Sequence, residues 1–179
     1  MNKFRSLREL FAKLPEDGKL RHLIRNFNLR MSGGAKNNLP SARDLATELG
    51  FDVRLVEMTM SQRGRLIRDT FAGSGYAIEV NQRDDVLTRR WTVLHELMHA
   101  FLHRRDDPFA PDQYRAGKNH FYLAEELVEE REVNESVEAI IFGDGALEAA
   151  VSLFGDDKPL IARHFGVSEK TLEIALRKR

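Results

Sequence analysis

The stretch from Trp91 to His103, WTVLHELMHAFLH, restricts this chain more than any other part of it. Apolar residues recur through it at helical spacing, and His95, Glu96 and His99 within it spell H-E-x-x-H. On a helix, residues i and i+4 lie on one face a turn apart, so both imidazoles can reach a single ion. Imidazole suits zinc, and two nitrogens so placed can take two corners of a tetrahedron. Glu96 follows the first histidine directly, where its carboxylate can reach a metal-bound water and accept its proton. At about 100° per residue, Trp91, Leu94, Met98 and Leu102 share the histidines' face and give them a rigid, dry support. His103 extends the run to H-E-x-x-H-x-x-x-H, but it lies ~12 Å along the axis from His95. We read it as a supporting or structural residue, not a ligand of the same ion. The bland alternative is an amphipathic core helix that carries two histidines.

A catalytic zinc site needs a third protein ligand and an open fourth position. Residues 109–120 contain Pro111 and Gly117 and read as a loop, and Leu123 to Phe142 then reads as a helix rich in glutamate. Its apolar stripe is Leu123, Leu127, Val133, Val137, Ile140 and Ile141. Glu130 falls within about 10–20° of the stripe's centre and Glu126 about 30–40° away, while Glu125 and Glu132 fall on the solvent side. A carboxylate in the middle of a buried face is costly unless it is paired or coordinates a metal. Glu130 is therefore the preferred third ligand and Glu126 the reserve; the alternative is that Glu130 pairs with an arginine. Asn134, one turn further on, is placed to hydrogen-bond a ligand from behind. Tyr114, His120 and Tyr122 lie between the two ligand helices and are the candidate donors to an oxyanion.

Elsewhere the chain sets milder limits. Its 179 residues suffice for one core with a small accessory lobe. Lys plus Arg and Asp plus Glu balance at 28 each, so no global field points to nucleic acid or membrane. The absence of cysteine excludes disulfides, thiolate zinc sites and a Cys nucleophile. The first residues, MNKFRSLRELFAKL, are too charged for a signal peptide, and no apolar run approaches the ~20 residues of a membrane span. The expectation is a cytoplasmic protein that does not enter membranes. Residues 1–30 predict two short helices divided at Pro15, locally basic through Lys3, Arg5, Arg8, Lys13, Lys19, Arg21, Arg25 and Arg30. Such a face is ordinarily just solvated; the sharper alternative is docking of an acidic partner or nucleic acid. Met31 to Leu39 reads as a linker.

Ser41 begins a short helix that Gly50 ends. Phe51–Met58, Arg65–Phe71 and Tyr76–Val80 then read as strands, the last two forming a hairpin around Gly73-Ser74-Gly75. The fold class expected is α+β: a small antiparallel or mixed sheet packed on the H-E-x-x-H helix and a second ligand helix, with helical segments at both ends. Its expected parts are a basic arm (1–38), a zincin-like core (39–145) and a C-terminal helical segment (146–179). The edge of such a sheet could hold a peptide by strand addition.

The segments RRWTVLHELMHAFLH and EREVNESVEAIIFGD resemble the ImmA/IrrE family of zinc metallopeptidases. That family typically shows R-x-F-T-x-x-H-E-x-x-H-x-x-x-H, followed by E-x-E-A-N-x-F-A-x-x-L-L-M-P. Trp91 stands for the aromatic, Thr92 and His103 match, and Glu130, Glu132 and Asn134 match E-x-E-x-N. Val133 replaces Ala, Ser136 the Phe and Gly143 the Pro. The resemblance covers residues 50–179 and implies a gluzincin-like α+β fold with one zinc per chain, Glu130 its third ligand. It also implies site-specific proteolysis of a DNA-binding transcriptional repressor, often in prophage or stress-response control.

Pro159 to Lys178 resembles a helix-turn-helix, with Gly166 as the turn and Ser168 as the cap. We read it as a packing or substrate-docking element rather than a DNA reader, because a complete unit needs a third helix. Two other classes compete with a regulatory zinc endopeptidase. One is a zinc- or DNA-binding regulator that cuts nothing; the other is a toxin–antitoxin-like interaction protein using the basic arm. Glu96 argues against the first, since zinc binding alone does not need it. Neither the cleaved bond nor the oligomeric state is legible in the sequence.

Overall fold

A computed structural model describes residues 6–32, 39–103, 113–116 and 124–178. They form eight helices and one sheet in an α+β arrangement, divided into two compact units.

The unit Ser41–Asn134 carries the sheet. Ser41 caps α3 (Ala42–Glu48) by accepting from Asp44 N at 3.1 Å. Gly50 then takes φ +88°, and its carbonyl accepts from Ser74 N at 2.9 Å. The strands are β1 (Asp52–Val56), β2 (Gln62–Arg68), β3 (Tyr76–Asn81) and β4 (Gln113–Ala116), in the spatial order β1-β3-β2-β4. β3 runs parallel to β1 and antiparallel to β2, and β4 runs antiparallel to β2. Every residue of β3 is buried, as a central strand covered on both faces requires, which is why YAIEV lacks a clean alternation. Its one carboxylate, Glu79, stays inside by accepting from Arg65 Nε at 2.5 Å.

α4 (Val86–Leu102) lies against β2 and β3. Asp85 caps it, accepting from Thr88 N at 2.9 Å and from Thr88 Oγ1 at 2.7 Å. Leu94, Leu97 and Met98 are fully buried, and Phe101 meets Phe51 edge to face at 5.7 Å.

The second unit joins the described residues of Met1–Pro40 to those of Glu135–Arg179. α1 (Leu7–Lys13) opens with a reciprocal capping box between Ser6 and Glu9. α2 (Gly18–Ser32) buries Leu20, Ile24, Phe27 and Met31 along one stripe. α5 (Ala124–Phe142) belongs to the first unit through Asn134 and to this one beyond it. Two long-range hydrogen bonds fasten the early helices to its C-terminal end. Leu7 N donates to Asp144 Oδ1 at 3.1 Å, and the buried Asn28 donates from Nδ2 to the Ile140 carbonyl at 3.0 Å. α6 (Ala146–Phe154), α7 (Lys158–Phe165) and α8 (Glu169–Arg177) follow, with Gly166 in the left-handed region and Ser168 capping α8. Phe142 and Phe165 pack edge to face at 4.9 Å in this core.

Three local expectations need correction. Residues 113–116, inside the expected loop, form β4, because pairing with β2 rather than any hydrophobic alternation makes the strand. β2 starts at Gln62 and stops at Arg68, where Asp69 bonds back to the turn through Phe71 N at 2.9 Å. The buried stripe of α5 begins at Val133, since Leu127 is 53% exposed in turns dominated by carboxylates, and Leu123 lies outside the described residues. Among the described residues, no helix is long and apolar enough to cross a membrane.

Hydrogen bonds from Thr88 hold the Asp85 side chain below the usual carboxylate range. Asp85→Ala should therefore lower stability by about 1 kcal/mol at neutral pH. A group with a depressed folded pKa stabilises above its unfolded value and loses that contribution as pH falls through the folded one. Urea midpoints of the two proteins should differ at pH 7 and converge below about pH 4. A pH-independent gap would contradict the charged cap.

Candidate metal centre

The second to fourth turns of α4 carry Thr92, His95, Glu96 and His99 inward, all buried, with His95 and Glu96 wholly inaccessible. Thr92 settles its hydroxyl on the Thr88 carbonyl at 2.9 Å, so it adds no unsatisfied polar group to the core. The imidazoles of His95 and His99 stand one turn apart with ring centroids at 4.7 Å. α5 brings Glu130 and Asn134 to them from the other side.

Three side chains converge. Glu130 Oε1 lies 2.9 Å from His99 Nε2, Glu130 Oε2 lies 3.2 Å from His95 Nε2, and the two Nε2 atoms are 3.1 Å apart. Among the described residues, His95, His99 and Glu130 are the one group whose ligand atoms could all hold a single ion. Tetrahedral bonds of about 2.0–2.1 Å place ligand atoms ~3.3 Å apart, close to these separations.

The proton count explains why a cation belongs here. His95 Nδ1 meets Asn134 Oδ1 at 3.1 Å; the oxygen can only accept, so Nδ1 carries the hydrogen. A neutral His95 then aims its Nε2 lone pair at a carboxylate oxygen, an arrangement that only a cation or a second proton makes attractive. The donor set of two imidazole nitrogens and one carboxylate oxygen fits zinc.

Charge in the site runs the same way. Burial works against an ionised Glu130, but hydrogen bonds from His99 and from a His95 that carries that second proton overcome it and hold the carboxyl far below its ordinary range. Burial also works to lower His99, yet the bond to Glu130 and the charges of Glu96, Glu130 and Glu129 keep it above the usual imidazole value. The pocket is built for positive charge.

The other residues singled out in the sequence fall as follows. His103 ends α4 as its C-cap and pairs with Glu132 at 3.3 Å, its ring 5.9 Å from that of His99. Glu132 is thus half-buried against α4, correcting the expectation that it faces solvent. Glu126 is exposed and outside the ligand group. Tyr114 lies on β4 with its backbone opposite Arg65, whereas His120 and Tyr122 lie outside the described residues.

Sequence reasoning missed Gly64. A Cβ there would collide with Thr92 Cγ2, stand 2.9 Å from the Glu79 carbonyl and reach within 3.6 Å of Glu96 Oε1. Glycine lets β2 run against the turn of α4 that carries Glu96, and the β2–β4 register slips between Gln62 and Gly64 at the same place. The available signal was a lone glycine between two arginines in a strand.

Residues 46–177 match the family model of the IrrE N-terminal-like domain, a peptidase family. The chain belongs to this family. It is accordingly a metallopeptidase of the ImmA/IrrE type, and its His95, His99 and Glu130 form a group able to hold a metal ion. The match leaves out α1 and α2. No individual curated protein matches the sequence.

Asn134 accepts a hydrogen bond from His95 Nδ1 and leaves Nε2 to face a metal ion, and loss of a partner of that kind typically costs 10–100-fold in metal affinity. Asn134→Ala should weaken zinc by about that factor in a chelator competition while α5 stays helical. Unchanged affinity would show that the Asn134 bond does not prepare His95.

Proposed function

We propose that this IrrE-type protein is a zinc-dependent endopeptidase, with His95, His99 and Glu130 as ligands and Glu96 as general base. One observation carries the reading: Glu96 is wholly buried in the turn of α4 between the two histidines, beside the place where β2 approaches α4 at Gly64. Burying a carboxylate is expensive, and a purely structural metal site gains nothing from it. Zinc bound there would supply Lewis acidity to a water molecule and to the scissile carbonyl.

The chain's own groups do the rest. Glu96 accepts the proton of the attacking water and returns it to the departing amine as the C–N bond breaks. Asn134 keeps the proton of His95 on Nδ1, and Leu94 and Met98, on the same side of α4 as the histidines, are fully buried. The donor to the oxyanion is drawn from Tyr114, His120 and Tyr122. β4 lies at one edge of the sheet, where an extended substrate can add as a further strand. By resemblance the substrate is a DNA-binding repressor or another regulatory protein, cut in the cytoplasm.

Glu96→Gln keeps shape and removes the base. It should retain zinc and folding while peptide hydrolysis falls by ~10²–10⁴-fold. Cleavage of a candidate repressor at the wild-type rate by Glu96→Gln would refute the assignment.

A further inference from the structure

The balanced charge of the chain hides a segregation. In the unit Ser41–Asn134, Arg54 meets Asp52 and Asp69, Arg63 meets Asp84, Arg65 meets Glu79, and Arg83 meets Glu57. Lys158 and Lys178 likewise hold Glu173 and Glu138. α2 departs from this pattern. Its sequence, GKLRHLIRNFNLRMS, contains Lys19, Arg21, Arg25 and Arg30 and no acidic residue. Arg21 is half-buried and donates to the Phe11 carbonyl at 3.0 Å. Lys19, Arg25 and Arg30 are exposed, and among the described residues none of them makes an ion pair.

At about 100° per residue these three cations share the half of α2 opposite its buried stripe, together with His22 and Asn26. From Lys19 to Arg30 they span ~17 Å along the axis and about 140° around it, a length over which duplex DNA presents about ten phosphates. We propose that this face of α2 binds double-stranded DNA through its phosphate backbone, without reading sequence.

The alternatives fit less well. A protein partner needs an apolar anchor at the centre of the contact, and this face offers only Leu29. Single-stranded nucleic acid is held by stacking on aromatic rings, but the neighbouring Phe11 is buried beneath the Arg21 and Arg25 guanidinium groups, 5.9 and 5.1 Å from its centroid. Insertion into a membrane is barred because the apolar stripe of α2 is already spent in the core. α8, the second helix of the helix-turn-helix-like pair, presents Glu169 beside Lys170, with Glu173 one turn on, and is a poor phosphate surface. α2 lies outside residues 46–177, which match the peptidase family.

The test is anisotropy of a short labelled duplex of arbitrary sequence with the full chain. Three phosphate contacts predict a log–log salt slope of about −3, roughly a fortyfold loss between ~50 and ~200 mM salt. The Lys19→Gln, Arg25→Gln, Arg30→Gln triple variant should bind at least tenfold more weakly with a nearly flat salt dependence, while keeping its helicity and zinc. Matching changes at Arg163, Lys170 and Arg177 should leave binding intact. No binding at low salt, wild-type binding by the α2 variant, or loss confined to the second variant would overturn the proposal. So would tighter binding of polyglutamate, which would point to an acidic protein, or of duplex RNA.

Discussion

Two imidazole lone pairs and a carboxylate are pressed together in a buried space, and the rest of the Ser41–Asn134 unit serves that arrangement. Without positive charge between them the three groups repel or must share protons, and folding them into contact has a cost. A cation held by all three would offset that cost. Metal binding and the stability of this unit are thereby linked: what favours the ion also favours the fold that assembles its ligands.

Support comes from shapes as much as from bonds. Asp85 fixes where α4 begins, and with it the height at which both histidines emerge. Gly64 admits β2 to within contact of the turn bearing Glu96, and Asn134 settles the proton of His95. The pair His103–Glu132 ties the end of α4 to the helix that carries Glu130, so two residues outside the His95, His99 and Glu130 group brace the helices that hold it. Within the second unit, Asn28 and Asp144 secure the early helices at the C-terminal end of α5.

Legibility in the sequence followed the range of the interaction. H-E-x-x-H and its helix could be read because ligand spacing, face and caps are all set within a few residues. Glu130 and Asn134 could be chosen among many polar residues of α5 because one helical period suffices to place them. Glu132 was misplaced by the same reasoning, since a wheel knows the buried face but not that His103 waits at the end of another helix. β4 has too few residues to show a period and exists through its partner. Gly64 matters only because Thr92 and Glu79 stand opposite it. The union of α1 and α2 with the C-terminal helices rests on contacts between residues more than a hundred apart in the chain, which no local pattern announces.

The central claim is that the three converging side chains are ligands of one ion. Metal content of the purified protein tests it most directly, with wild type beside His99→Ala, Glu130→Ala and Glu132→Ala. The account predicts about one zinc per chain in the wild type and in Glu132→Ala, and its loss from the other two variants. A wild type that stays empty when zinc is supplied, or equal losses from Glu130→Ala and Glu132→Ala, would contradict it.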